Sequence, residues 1–313
     1  MTHCLKVLAA TEAVAIEASR WVGFGNEIAL TEAATRAMVQ ALETHGIDGR
    51  LDLGEARGEL ADQTRIGTNS ARSLAIKTVE GITATSLGGA NSLALIAVSE
   101  DGTFSSIPPS MYMDKVVVPA WADGVVDLSA EPAAILTALA AQKGVQCREL
   151  RVAVLDRPRN QRVIDAIRSA GARVTLIADG DVAVSLAILS GRSPIDCMLG
   201  SGGAREAVYT ATAARAVGNV FFARFLVRNR EEEASLARSI QVDRIRQGFW
   251  AADLAPGAVT LAATAITDCA PLQGVSVSAR RVHTESFLFQ SDAGSVSLIK
   301  STRRIDARPA AGQ

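Results

Sequence analysis

The feature that most narrows the fold is a rhythm that sets in after residue 130. Three times in succession a short aliphatic run gives way to a polar or glycine-bearing turn and then to a helical pattern. Residues 151–155 lead into Asp156-Arg157-Pro158-Arg159 and a helix at 161–170. Residues 174–177 lead into Asp179-Gly180-Asp181 and a helix, and residues 195–199 into a turn at Gly200-Ser201-Gly202-Gly203 and another helix. Strand, turn and helix repeated in this way predict an α/β sheet with ligands beyond the strand C-termini. An Ala-rich helix at 130–143 precedes the rhythm.

Upstream the pattern differs. Leu5, Leu8, Val14, Ile16 and Ala18 fall at helical spacing over residues 5–20, and a second helix over about 29–44 stops at Gly46. Short strands follow near 50–53, 73–79, 92–99 and 115–118, the last closed by Pro119. Near the end, a strand at 259–264 precedes a hairpin of 281–290 and 295–299 around Asp292-Ala293-Gly294. The expected organisation is an α+β half over 1–130 and an α/β half over 131–306, closely packed as one unit. A disordered tail is expected at 307–313.

Composition excludes several classes of function. Lys plus Arg number 32 against 33 Asp plus Glu, with no basic stripe, so no nucleic-acid partner is expected. The charged run at 230–233 reads as a solvated helix start. Cys4, Cys147, Cys197 and Cys269 show no C-x-x-C spacing, and His3, His45 and His283 are scattered. Any metal would therefore sit on oxygen ligands, which suits Mg²⁺ or Mn²⁺. The chain opens without a secretory pattern, and apolar runs such as 93–98 are too short to span a bilayer. No membrane partner and a cytoplasmic location are expected.

The three turns share a chemistry. Arg157 and Arg159 offer guanidinium groups to a phosphate. Asp179 and Asp181 could accept hydrogen bonds from sugar hydroxyls, and residues 200–206 bring backbone N–H groups to a helix start. Converging on one sheet edge, they point to a phosphorylated ligand.

The stretch Met111-Tyr112-Met113-Asp114-Lys115 resembles the Met-Tyr-Met-(Asp/Glu)-Lys signature of class II fructose-1,6-bisphosphatases. The loops at 155–159, 178–183 and 200–206 resemble that family's in order and spacing. So do 21–23, 47–49, 53–55, 262–268 and Thr284-Glu285-Ser286. The resemblance covers nearly the whole chain. It implies the layered α-β-α-β-α fold of the lithium-sensitive sugar phosphatases, shared with inositol monophosphatases. It also implies that Glu80, Gly81, Tyr112, Arg157, Pro158, Arg159, Asp179, Gly180, Asp181 and Gly203 contact a sugar bisphosphate.

The family's chemistry is metal-assisted hydrolysis, in which clustered carboxylates hold divalent ions that activate a water. Here the chain departs from the pattern. The motif Asp-Pro-(Ile/Leu)-Glu-Gly-Thr is replaced by Lys77-Thr78-Val79-Glu80-Gly81-Ile82. Thr31 stands at a metal-binding Asp, Gly23-Phe24-Gly25-Asn26 at Gly-Arg-Gly-Asp, and Gly54-Glu55-Ala56-Arg57 at Gly-Glu-Gly-Glu. Of the carboxylate ligands that the resemblance implies, Glu55, Glu80 and Glu206 remain. Lysine for aspartate shifts the local charge by about two units against Mg²⁺. Its ammonium can pair with Glu55 or Glu80 and take over part of a metal's electrostatic role, though it cannot acidify a bound water as a divalent ion does. Thr83, beside Ile82, offers a displaced hydroxyl, which makes Glu80, Lys77 and Thr83 the candidate catalytic residues.

Three functions are compatible with this sequence. The leading one is a phosphoric monoester hydrolase of carbohydrate metabolism that acts on a ketose bisphosphate, with altered or reduced dependence on Mg²⁺ or Mn²⁺. The second is a metal-free sugar-phosphate enzyme using Lys77 as acid, base or Schiff-base former. The third is a non-catalytic sugar-phosphate-binding protein. A homo-oligomer, dimer or tetramer, is expected in each case.

Overall fold

The structure, a computed structural model, describes residues 3–55, 58–68, 71–218 and 220–304. The tail expected at 307–313, and Ala56 and Arg57 of the glutamate motif, lie outside these residues. The chain opens with helices α1 (His3–Ser19) and α2 (Glu27–His45). The Asn26 side chain caps α2 by accepting from the Ala29 amide, and Gly46 closes it in the left-handed region at φ 57°. Strands β1 (Gly49–Leu53), β2 (Arg65–Ile66) and β3 (Ser73–Glu80) follow, then the short helix α3 (Ile82–Ser86) and strand β4 (Leu93–Ser99).

The middle of the chain builds a second sheet. It comprises β5 (Tyr112–Val117), α4 (Pro132–Lys143), β6 (Arg151–Leu155), α5 (Gln161–Ser169), β7 (Arg173–Ile177), α6 (Asp181–Leu189), β8 (Cys197–Gly203) and α7 (Ala204–Ala214). Next come β9 (Phe221–Phe225), α8 (Arg230–Leu236), α9 (Val242–Gln247), β10 (Phe249–Trp250) and α10 (Ala251–Leu254). The chain then returns with β11 (Val259–Ala265), β12 (Ser276–Ser278), β13 (Arg281–Gln290) and β14 (Ser295–Arg304). The charged run at 230–233 does start a helix, α8, capped by Asn229, with Arg230 and Glu231 exposed and Glu232 and Glu233 half-buried.

The first sheet runs β12-β13-β11-β4-β3-β1-β2, with β14 also paired to β13, and the second runs β10-β9-β5-β8-β6-β7. Sheet membership crosses residue 130, since β5 lies in the second sheet and β11–β14 complete the first. The rhythm read from the sequence yields the parallel trio β8-β6-β7, whose C-terminal ends share one edge. The antiparallel strands beside it, β5, β9 and β10, carry no crossover signature of their own.

Strand β4 shows the layering most clearly. Its alternate residues Ala94, Ile96 and Val98 join the core under α1 and α2, while Leu93, Leu95 and Ala97 join the core toward the second sheet. Burial on both faces explains its unbroken apolar run. Helix α7 touches both sheets, α6 and α10 pack beside it, and α5 packs on β7 next to α4. The order is helix, sheet, helix, sheet, helix, the layered α/β fold expected.

Two local readings are corrected. The strand expected at 115–118 spans 112–117, so Tyr112 belongs to the sheet. The glycine run 200–203 is not a turn but the end of β8, paired residue for residue with β5 from Lys115↔Gly200 to Tyr112↔Gly203. Its glycines serve close approach instead. A Cβ on Gly202 would overlap Asp181 Oδ2 and come within 2.8 Å of Lys115 Nζ.

Candidate active site

The site grows from a fault in β3. Pairing with β4 is regular from Ser73↔Ser99 to Lys77↔Leu95, and then Glu80 pairs with Leu93, three steps on one strand against two on the other. In a regular strand, residues three apart point to opposite faces. The extra residue turns Lys77 and Glu80 to the same side, which is what a β-bulge does. Gly81, at φ 79°, then starts α3.

Both side chains face a cleft of about 270 Å³ that also receives the ends of the parallel strands. Gly81, Thr83, Arg157, Arg159, Asp179, Asp181, Gly203 and Glu206 line the same cleft. An adjoining cavity shares Lys77, Ile82, Gly203 and Glu206 and adds Glu55, Tyr112 and Arg205. Three residues named from the sequence line neither. Pro158 opens the single turn that delivers Arg159, and Gly180 starts α6 at φ 78°. Thr31 lies on α2, its hydroxyl donating to the Glu27 carbonyl.

The wall formed by the second sheet is braced from behind. Asn160, fully buried, accepts from the Ser201 amide at 2.7 Å and donates to the Leu155 carbonyl at 2.9 Å, tying β6 to β8. Arg159 Nε donates to the Ser201 carbonyl at 3.3 Å, and its guanidinium lies 4.3 Å from the centre of the Tyr112 ring. Arg228 approaches the same ring at 5.0 Å. Beneath them Lys115 and Asp181 form a buried ion pair through Oδ2, which leaves Asp181 Oδ1 for a ligand. Asn91, from the loop before β4, packs on Gly180 and donates to the Asp179 carbonyl at 3.3 Å.

The opposite wall holds the glutamates. Glu55 Oε1 accepts from the Thr78 amide at 3.0 Å and hydroxyl at 2.8 Å. Arg205 donates to the Gly54 carbonyl at 2.9 Å and pairs with Asp62, pinning this loop to α7. Lys77 Nζ lies 3.7 Å from Glu206 Oε1. Burial pulls the Lys77 pKa down, but Glu80, Glu206 and Glu55 outweigh it and hold the ammonium above its ordinary range. Burial, then Glu206, pushes the Glu80 carboxyl well above the usual carboxylate range, although Lys77 opposes the shift. A lysine held charged in this way is a poor Schiff-base former.

These groups fit a divalent-ion cluster badly. The ammonium of Lys77 stands among the oxygens that such ions would need, and Glu55 Oε1 is committed to Thr78. Among the described residues no three His, Cys, Asp or Glu side chains are grouped so as to hold a metal ion.

Several working residues were not singled out from the sequence. Lys115 closes the Met-Tyr-Met-Asp-Lys stretch and Arg205 sits in the 200–206 loop, so their motifs could have flagged them. Asn91, Asn160 and Asp62 act across long separations and carry no local signal.

Two sheets enclosing a helical layer, with arginines and carboxylates facing each other across a cleft at the strand ends, define an α/β protein of sugar-phosphatase type. The comparisons agree. The sequence profile of the family described as bacterial fructose-1,6-bisphosphatase, glpX-encoded, matches residues 1–303, and the chain belongs to that family. It is similar to fructose-1,6-bisphosphatase 1 class 2 of Escherichia coli strain K12, at 31% identity over 319 residues, 95% of this chain and 94% of that protein. The fructose-1,6-bisphosphatase class 2 proteins of Escherichia coli O6:H1 and Shigella flexneri match at the same identity and coverage.

Proposed function

We propose that the protein binds a ketose bisphosphate in this cleft and hydrolyses one of its phosphate esters, with altered or reduced dependence on divalent metal. The observation that carries the reading is the meeting of Arg157 and Arg159 with Lys77, Glu80 and Glu206 in one cleft. The two guanidinium groups hold the phosphate. Asp179 and the free oxygen of Asp181 accept from sugar hydroxyls, and the Tyr112 ring flanks the ligand. Lys77 offsets charge on the phosphoryl oxygens, and Thr83 orients the attacking water. Glu80, kept protonated by burial and by Glu206, donates to the sugar oxygen as the ester bond breaks.

Release of inorganic phosphate from fructose 1,6-bisphosphate and heptulose bisphosphates, with and without Mg²⁺ or Mn²⁺, tests the proposal. No release above background across that panel removes it. A second reading, binding without turnover, is favoured by the ammonium among the carboxylates; calorimetric binding with no phosphate release would establish it.

Assembly into a dimer or tetramer in the cytoplasm completes the proposal. Phe24, Ile28 and Leu87 are each more than 70% exposed on neighbouring segments, tied by bonds from the Gly23 and Gly25 amides to the Thr85 and Ser86 carbonyls. Light scattering on the purified protein measures the assembly. Among the described residues, no helix is long and apolar enough to cross a membrane.

A further inference from the structure

The charge arrangement of the cleft leads further than its outline. On the second-sheet wall, Asp181 is satisfied by Lys115, so Arg157 and Arg159 remain for an anion. Among the described residues, Arg157 donates to the Asp156 carbonyl and Arg159 to the Ser201 carbonyl, with no carboxylate partner for either. On the other wall, three carboxylates face one ammonium and Arg205, which is itself paired with Asp62. The bulge in β3 fixes the Lys77 backbone so that its side chain, 25% exposed, ends among them.

We infer that Lys77 is the resident cation of this cleft, and that the cleft takes a sugar phosphate without a divalent metal. The inference rests on the sugar-phosphate reading above and specifies what neutralises the ligand's charge. An ammonium is a compact point charge with three donors. From this position it compensates Glu206 and, with Glu80 holding its proton, leaves a donor for a phosphoryl oxygen. Mg²⁺ or Mn²⁺ would need near-octahedral oxygen coordination in the same volume, with a like charge beside it. The protein side chain and the metal therefore compete for one place, and the side chain is covalently held there.

The test uses the full-length protein treated with EDTA and titrated calorimetrically with fructose 1,6-bisphosphate, in EDTA and in Mn²⁺. The Kd is expected to agree within about twofold between the two conditions. Binding that appears only with Mn²⁺ overturns the inference and leaves the sugar-phosphate reading standing. Absence of binding in both conditions overturns the two together.

Lys77→Gln, which keeps the side chain polar and nearly as long, is expected to weaken binding in EDTA by about tenfold or more. An unchanged Kd in a folded Lys77→Gln protein sinks the role of the ammonium. Electron paramagnetic resonance of Mn²⁺ gives a readout independent of the sugar. The native cleft should leave added Mn²⁺ free, and Lys77→Asp should capture it. Tight Mn²⁺ capture by the native protein that Lys77→Asp does not increase counts against the inference. Should Lys77→Asp fail to fold, the Lys77→Gln titration decides.

Discussion

The two walls of the cleft are built on opposite plans. On the second-sheet wall the ligand-facing groups stand on a neutralised, hydrogen-bonded base of Asn160, the Lys115–Asp181 pair and Gly202. On the other wall, built by β3 of the first sheet and the start of α7, the ligand-facing groups are themselves the charge balance, since Lys77 pairs with Glu206 and Glu206 in turn helps Glu80 keep its proton. Support from behind leaves the first kind of wall ready for an anion. Support from within makes the second kind sensitive to any single charge.

The largest effect belongs to the buried base. Lys115→Met would strand the Asp181 carboxylate in a dry site, and the loss of stability should be about 3–5 kcal/mol. Urea denaturation reads this directly, and a loss below about 1 kcal/mol would mean that water or another cation serves Asp181 instead. Adding Asp181→Leu to Lys115→Met should restore most of that loss, because the orphaned charge is gone.

Next comes the guanidinium in front of that base. Arg159→Ala should weaken sugar-phosphate binding by about 1.5–3 kcal/mol, the usual worth of a charge-assisted hydrogen bond, with little change in melting temperature. Arg159 is exposed, and its one hydrogen bond among the described residues goes to the Ser201 carbonyl. A large fall in melting temperature with unchanged binding would make it a structural brace rather than a ligand contact.

Gly202→Ala probes the same wall through packing. The added methyl would meet both members of the Lys115–Asp181 pair, so a loss of about 1–3 kcal/mol is expected from overpacking. Gly202 does not lie at positive φ, so backbone strain does not enter there, whereas the same change at Gly124, at φ 69° with nothing near the added carbon, reads strain alone. Unchanged stability in Gly202→Ala would mean that the Lys115–Asp181 pair gives way to the methyl without cost.

What could be read from the sequence divides along the same line. The loops of the second wall announce themselves because their strands, turns and helices are contiguous, so Arg157, Arg159, Asp179 and Asp181 could be placed on one edge beforehand. The run Gly200–Gly203 was misread because a turn and a close approach ask for the same residue. The first wall resisted for a different reason. Lys77 and Glu80 are three apart in a strand, a spacing that predicts opposite faces, and only the slip between Lys77 and Glu80 against β4 brings them together. No local pattern marks a bulge of that kind. Lys115 looks like a solvent lysine in an alternating strand, yet it is 2% exposed, because its partner comes from residue 181.

The remaining effect, spread over several pH units, tests the internal balance of the first wall. In the folded protein Glu80 holds its proton to higher pH than the ordinary 4.5, chiefly through burial and Glu206. The folded state therefore binds more protons than the unfolded one in the window that opens at about pH 4.5 and extends upward through the native pKa. The contribution of Glu80 to stability is greatest below that window and is lost as the pH rises across it. Glu80→Gln, which cannot ionise, should escape this loss, so its stability relative to the parent protein should rise by at most about 1.4 kcal/mol per pH unit within the window. Melting curves of the two proteins between about pH 5 and about pH 8 measure the difference. A difference that stays flat with pH would mean that Lys77 already holds Glu80 ionised, and the first wall would then be a settled ion pair like the one beneath the second.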